Sequence, residues 1–393
     1  MTPAARVQAA IELLDAIITA TRDKGASADR IAAAFFAARR YAGSKDRRAV
    51  RDLTWRAIRT FGDRPDNGRS AMIALADQDS ELAALFDGLA YGPAPIAADE
   101  PRASGGVLPE WVKPLFSTLV TEGEYPALLE RAPLDIRVNR LIADGEAVAQ
   151  TLPEAAALPE SRDGLRLPTG YSIESSELYT SGAIEVQDLG SQLIAEACYA
   201  QPGMTVLDLC AGAGGKTLAL ASHMAGQGRL VAADTNRDRL QQLPPRAARA
   251  KSGFIETLLL DPNKEKGALG DLVDACDVVL IDAPCSGSGT WRRNPETRWR
   301  LDQRDLQRLV SEQGRLLDLA SGLVKPGGNL VYAVCSLFAC EGRDQIDAFL
   351  SRHPDFETDN PDFTAGRADG AGILLTPAHD GSDGFYLARL HKL

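Results

Sequence analysis

The 393-residue chain is too long for one compact core of ordinary size, so two or three domains are expected. Its 45% hydrophobic and 25% charged residues are the proportions of an ordinary globular protein, and no stretch approaches the roughly 20 continuous apolar residues that a membrane span needs. A net charge of -11 argues against indiscriminate binding to nucleic acid, yet leaves room for a local basic surface, because salt limits the reach of remote charge to about 8–10 Å.

Residues 1–89 read as a helical domain. Val7, Ile11, Leu14 and Ile18 recur at helical spacing, as do Ile31, Phe35 and Ala38, then Val50, Leu53, Ala57 and Phe61, and such stripes are core faces. The opening helix, Met1 to Arg22, is interrupted by Glu12 and Asp15 and has no small-residue cleavage site, so a signal peptide is not expected and the cytoplasm is the expected location. Arg39 to Arg64 holds nine Lys/Arg against three Asp, a run whose usual meaning is a solvated helix face. Gly92, Pro93, Pro95, Pro101, Gly105 and Gly106 then break the periodicity and mark a linker over 90–107. Residues 108–185 carry a helix near Glu110 to Leu119, strand-like Leu134 to Val138 and Gly164 to Leu167, and a helical patch at Asp144 to Leu152, which together predict a small α/β unit.

From residue 186 to 393, short apolar runs alternate with helical patterns, as in a doubly wound parallel sheet. Strands are expected at Thr205–Leu209, Arg229–Ala233, Phe254–Leu260, Val278–Ile281 and Asn329–Val334, with Gly384–Leu390 as an edge strand. Helices are expected at Ser191–Ala200, Lys216–Met224, Arg237–Ala250 and Asp302–Leu323. All six cysteines fall in this part of the chain; none forms a C-x-x-C pair, and the four histidines offer no ligand spacing, so no metal is expected. Cys198 and Cys276 read as buried apolar residues.

The stretch Val206-Leu-Asp-Leu-Cys-Ala-Gly-Ala-Gly-Gly-Lys-Thr217 is a buried strand, a glycine-rich turn and a helix start. Such a turn lets backbone amides approach a ligand closely. A phosphate-binding NTPase loop is disfavoured, because the glycine it requires five residues before Gly215 is Cys210. Asp234 ends the second strand, where an acid can accept from both ribose hydroxyls of a nucleoside, and Asp261 ends the third, a position suited to an adenine amine. Asp208, at the end of the first, is placed to face a sulfonium or an amine. One acid at a strand end is often a helix cap; three at successive ends on the rim where open sheets bind ligands point to a nucleoside cofactor.

The fourth strand ends Ile281-Asp-Ala-Pro-Cys-Ser-Gly-Ser-Gly289 and the fifth ends Ala333-Val-Cys-Ser336, which puts Cys285 and Cys335 on the same rim. Carbon 5 of cytosine is a poor nucleophile until a thiolate adds at C6, and that chemistry needs a cysteine activated below its free pKa of about 8.5. Asp282 is suited to the amino/N3 edge of the ring. The residue types alone leave open which cysteine attacks.

Taken together, Asp208, Gly214-Gly-Lys216, Asp234, Asp261, Asp282-Ala-Pro-Cys-Ser-Gly287, Val334-Cys-Ser336, Arg292-Arg-Asn-Pro295, Trp299 and the preamble Gln187-Asp188…Ser191-Gln192 resemble the Sun/RsmB family of RNA cytosine-C5 methyltransferases, of the bacterial ribosomal RNA type. The likeness covers about Pro109 to Leu393. It implies an α/β fold: a Rossmann-like domain dependent on S-adenosyl-L-methionine, a small α/β RNA-binding subdomain and an N-terminal helical, NusB-like domain, the last carried by Asp46-Arg-Arg48 and Arg59. It also implies that Cys335 is the nucleophile, that Cys285 assists release of the methylated RNA, and that Cys210, Ala211, Gly212, Ala213, Gly214, Gly215, Lys216, Asp234, Asp261 and Asp282 contact the cofactor. Four positions depart from the pattern: Gly212-Ala213 replace Ala-Pro, Val334 replaces Thr, and Gly342 replaces Asn.

The expected partner is RNA, ribosomal RNA first and transfer RNA as the alternative, and the chain is expected to be a monomer away from membranes. Arg292 to Arg304, with five Arg against Glu296 and Asp302, is placed to hold phosphates, and Trp299 either stacks on a base or packs inside. Arg131 to Asn139 resembles the small RNA-binding subdomain that precedes the catalytic domain in this family. The competing class is a non-catalytic RNA-binding or assembly protein, which would have no need of two rim cysteines.

Overall fold

The computed structural model describes residues 1–393. The chain forms two compact units. One is Met1–Leu115 with Tyr125–Glu130 and Trp291–Asp302, and the other is Phe116–Glu124 with Arg131–Thr290 and Gln303–Leu393.

The first unit is helical: α1 (Pro3–Arg22), α2 (Ala28–Ala38), α3 (Ser44–Thr60), α4 (Gly68–Ala76) and α5 (Ser80–Ala83). Side-chain caps at Thr2, Asn67 and Asp79 satisfy amides that have no partner within their own helix. Val7, Ile11, Leu14, Ile18, Phe35, Val50, Ala57 and Phe61 meet in its core, whereas Ala38 is exposed and Ala32 and Phe36 face inward instead. The helix expected near Glu110 is a short 3-10 turn, Glu110–Leu115, cut by Pro114.

Trp291–Asp302 lies between strands of the other unit in sequence but folds into this one. Arg298, 1% exposed, donates to the carbonyls of Ile58 and Phe61 at the end of α3, where helix carbonyls lack donors of their own. Trp299 is buried and its indole N–H donates to the Phe61 carbonyl at 2.9 Å, while Arg300 donates to the carbonyls of Gly25 and Ala26. The expectation that this basic run holds phosphates is therefore corrected for Arg298 and Arg300: both guanidiniums bind main-chain carbonyls. Trp299 takes the packed alternative. Burial pulls Arg298 down to about 9. By contrast, Arg40, Lys45, Arg47, Arg48, Arg51 and Arg56 of the earlier run are exposed on and beside α3.

The second unit carries two sheets. In the small one, β1 (Leu134–Val138), β2 (Ala156–Ala157), β3 (Gly164–Leu167) and β4 (Ile184–Val186) run antiparallel in the order β2-β3-β1-β4, with α6 (Gly145–Thr151) and α7 (Glu177–Thr180) between them in sequence. Strand alternation turns Ile136 and Val138 into one core and Asp135, Arg137 and Asn139 the other way. The polar set is also buried. Asp135 pairs with Arg166 at 2.6 Å and accepts from the Leu189 amide, Arg137 donates to Gln187 at 2.7 Å, and Asn139 donates to the carbonyls of Gly182 and Ala250. These residues of the Arg131–Asn139 stretch fasten the small sheet to the large one.

The large sheet follows, with α8 (Leu189–Ala197), β5 (Thr205–Asp208), α9 (Gly215–His223), β6 (Arg229–Asp234), α10 (Arg237–Leu240), α11 (Leu243–Arg249), β7 (Ile255–Leu259), α12 (Glu265–Ala268), β8 (Cys276–Asp282), α13 (Gln303–Ser321), β9 (Val324–Val334), α14 (Arg343–Arg352), β10 (Phe356–Thr358), β11 (Arg367–Asp369), β12 (Gly372–Leu375), α15 (Pro377–Asp380) and β13 (Phe385–Lys392). The order is β11-β12-β13-β9-β8-β5-β6-β7, parallel from β9 through β7, and β10 adds to β13.

Two expectations about this sheet are corrected. The helix foreseen over Arg237–Ala250 is two, because Pro244 and Pro245 lack amide protons and fit only the first turn of a new helix. The last strand is internal: β13 pairs with β9 along one side, and with β12 and β10 along the other. The covering strands are three or four residues long, too short for alternation to show in sequence. No helix is long and apolar enough to cross a membrane.

From β5 the chain winds outward through β6 and β7, then returns to β8 and β9 on the other side of β5. The carboxyl ends of β5 and β8 thus flank a topological switch point, the place where open sheets bind ligands.

Candidate functional site

The turn from β5 to α9 is pinned to both neighbouring strands. Leu209 donates to the Leu280 carbonyl of β8, Ala211 to the Ala233 carbonyl of β6, and Gly212 to the Asp234 carboxylate at 2.7 Å. Gly214 caps α9 in the left-handed region at φ 82, and a Cβ there would meet the Leu243 side chain at 2.2 Å. Beside the turn opens a cleft of about 450 Å³, whose wall includes Cys210, Asp234, Asp282, Cys285 and Cys335. Ala211 to Gly215 form the turn itself. Asp261 is exposed at the end of β7 and stands outside this wall, where its neighbour Leu260 lines it.

Lys216, on the first turn of α9, is buried and donates to Asp282 at 2.8 Å. Burial disfavours its ammonium, but Asp282 and a Cys335 thiolate favour it more, and the net pKa is raised. Lys216 is thus a fixed cation behind the reactive wall. Asp208 departs from its expected place facing a ligand: it is 1% exposed and accepts from the Thr217 hydroxyl at 2.6 Å, beneath the turn.

Burial pushes Asp208 up to about 7 from an ordinary carboxylate value of 3.8. The folded protein then holds a proton that the unfolded chain releases between about pH 4 and 7, so folding stability falls as pH rises through that window. Asp208→Asn cannot ionise and escapes this loss. Its melting temperature relative to the parent is expected to be several degrees higher at pH 8 than at pH 5, by thermal melts at both pH values. An offset that is the same at both would show that Asp208 folds without perturbation.

The two thiols of the reactive wall are 3.3 Å apart, Cys285 after β8 and Cys335 after β9. Sharing a hydrogen bond with Cys335, together with burial and the nearby negative charge of Glu341, pushes Cys285 well above the ordinary thiol range. Close backbone contact holds their loops together: Gly289 donates to the Cys335 carbonyl, and Gly384 donates to Gly289 so tightly that a Cβ on Gly289 would sit 1.9 Å from the Gly384 oxygen. Cys198 and Cys276 are fully buried in the core.

Sequence reasoning missed a polar layer under the thiols. Ser286, Ser288, Ser336, Gln313 and Glu341 are hydrogen-bonded to one another there. Each serine follows a cysteine by one or three positions, which is the one signal in the sequence that could have drawn attention to it. Arg239 was also missed; it lines the cleft and lies against Gly212.

A parallel sheet with a switch-point cleft and an antiparallel strand beside β9 is the Rossmann-like methyltransferase fold. The family model described as 16S rRNA methyltransferase RsmB/F matches residues 196–391, and the chain belongs to that family. The probable ribosomal RNA small subunit methyltransferase B of Synechocystis sp. is 33% identical over 302 residues, 72% of this chain and 66% of that protein. The chain thus spans less than two thirds of the length of that relative. Among solved structures, PH0851 aligns over 98% of this chain and 99% of its own, with a TM-score of 0.78 at 23% identity, a likeness of fold. A methyltransferase homolog protein from Pyrococcus horikoshii aligns over 69% of this chain and 90% of its own, with a TM-score of 0.60 and 28% identity.

Proposed function

We propose that the protein transfers a methyl group from S-adenosyl-L-methionine to C5 of a cytosine in RNA, with ribosomal RNA as the substrate. The observation that carries this reading is the pair of thiols 3.3 Å apart on the wall of the cleft that also holds Asp234 and Asp282. The cleft suits the cofactor: its volume of about 450 Å³ is in the range of small-molecule sites, its turn is rich in glycine, and an acid stands at the end of β6. Cys210 to Lys216, Asp234 and Asp282 would hold the cofactor. Asp261 joins them only if its loop turns inward on binding.

When bound, S-adenosyl-L-methionine supplies an electrophilic methyl group. Cys335, as thiolate, adds to C6 of the cytosine; an S–C6 bond forms and the electron pair of the C5–C6 double bond moves toward C5. Asp282 hydrogen-bonds the amino/N3 edge of the ring, which helps the ring accept that charge. After C5 is methylated, its proton passes to a solvent base, the C–H pair restores the double bond, and the Cys335 sulfur leaves. Cys285 donates its S–H hydrogen bond to the departing sulfur and so assists release. The target base must reach the cleft unpaired or flipped from its stack.

The exposed cations on and beside α3 support an RNA-holding role for the helical domain of residues 1–89, with the 108–185 unit as its companion. The names of the curated relatives favour ribosomal over transfer RNA. Bisulfite mapping of both RNAs, from cells with and without the protein, tests the assignment. One ribosomal RNA cytosine is expected to lose its 5-methyl mark with the protein; loss confined to transfer RNA would reassign the substrate, and no loss in either would reject the function.

A further inference from the structure

Glu341 is 0% exposed and its carboxylate gathers four donors. Oε1 accepts from the Ser286 amide at 2.9 Å and from Gln313 Nε2 at 3.0 Å. Oε2 accepts from the hydroxyls of Ser286 at 2.5 Å and Ser336 at 2.6 Å. Ser286 follows Cys285 in the chain, and Ser336 follows Cys335. Gln313, on α13, also donates to the Pro284 carbonyl at 2.9 Å, so the residues on both sides of Cys285 are tied to one assembly. The Glu341 carbonyl accepts from the Tyr332 hydroxyl at 2.6 Å, which anchors it to β9 three residues before Cys335.

An isolated carboxylate in such a place would be expelled by the cost of desolvation; four donors offset that cost and make the geometry stiff. No other carboxylate bonds to both cysteine loops. We propose that Glu341 is a positioning residue for the methyl transfer: through Ser286 and Ser336 it sets the separation of Cys285 and Cys335, so that one thiol can hand its hydrogen bond to the other. The inference rests on the roles proposed above for the two cysteines. Glu341 never touches the base; it acts through the two serines. Its charge works in the same direction as its geometry, because a negative group beside Cys285 holds the proton on that thiol. The other ionisable groups facing Cys285 are Cys335 and Tyr332, with Asp282 on its own strand end.

The test uses the full chain with Glu341→Gln and Glu341→Asp, and reads three quantities. These are kcat for methyl transfer, affinity for S-adenosyl-L-methionine, and the pH profile of Cys285 alkylation by iodoacetamide, followed by peptide mass. Glu341→Gln is expected to lower kcat about 10- to 100-fold with cofactor affinity within about twofold, and to move Cys285 alkylation about one unit toward lower pH. Glu341→Asp keeps the charge but shortens the reach. It is expected to lower kcat while leaving the alkylation profile near the parent's, a separation that general loosening of the fold would not produce. Wild-type kcat and an unmoved profile in folded Glu341→Gln would overturn the inference. Should that variant not fold, wild-type kcat in Glu341→Asp would overturn it as well. Alkylation needs no turnover, so an inactive parent would reject the proposed function and leave the Glu341 reading to be decided by the profile.

Discussion

Cys335→Ala is expected to lower methyl transfer to RNA by at least about a thousandfold while leaving S-adenosyl-L-methionine affinity within about twofold, because loss of a covalent nucleophile removes the step itself. The bonds that fix the cofactor turn do not involve this thiol: Lys216 donates to Asp282 at 2.8 Å, Gly212 donates to Asp234, and the turn is pinned to β6 and β8. Cys335 is only partly buried against the core, so truncation to alanine leaves a small gap open to the cleft and costs little stability. Activity measured by transfer of labelled methyl, and affinity by calorimetry, would show the split. Turnover near the parent's level would move the nucleophile to Cys285.

Cys285→Ala is expected to behave in the opposite way. Addition at C6 still occurs, but the leaving sulfur has lost the hydrogen-bond donor 3.3 Å away, so the covalent intermediate should accumulate. The expected result is a protein–RNA band that survives denaturation on a gel, formed only with S-adenosyl-L-methionine present, and absent from the double variant with Cys335→Ala. Without that band, release would not depend on Cys285. The two variants together test an asymmetry that resemblance alone had supplied. The surroundings of the two thiols differ: the negative charge of Glu341 raises the Cys285 thiol, while a thiolate at Cys335 favours the ammonium of Lys216.

Much of this site was legible because strand ends carry their own marks. The glycines after Leu209, the acid closing β6 and the cysteines after β8 and β9 fall at fixed offsets from apolar runs, and an open parallel sheet gathers such offsets on one rim. What stayed hidden depended on which way a side chain turns. A count of charges in Arg292–Arg304 says nothing about whether a guanidinium meets phosphate or, as with Arg298, the last carbonyls of α3. Asp208 and Asp261 occupy equivalent strand-end positions, yet one is sealed under the turn and the other lies out in solvent. The apolar run Leu134 to Val138 announced a strand, but not that its polar residues Asp135 and Arg137, with Asn139 after it, are buried against the neighbouring sheet. Glu341 was visible only as the neighbour of an unusual Gly342, since no local pattern announces a carboxylate that will meet two serines fifty residues apart.

The measurement that bears most directly on the account is tritium release from RNA carrying [5-³H]cytidine. Methylation through a C6 adduct must expel the C5 hydrogen, so tritium should enter water one for one with each methyl group incorporated, only when S-adenosyl-L-methionine is present, and not with Cys335→Ala. Methyl incorporation without tritium release would place the methyl group on another atom and contradict the account at its centre.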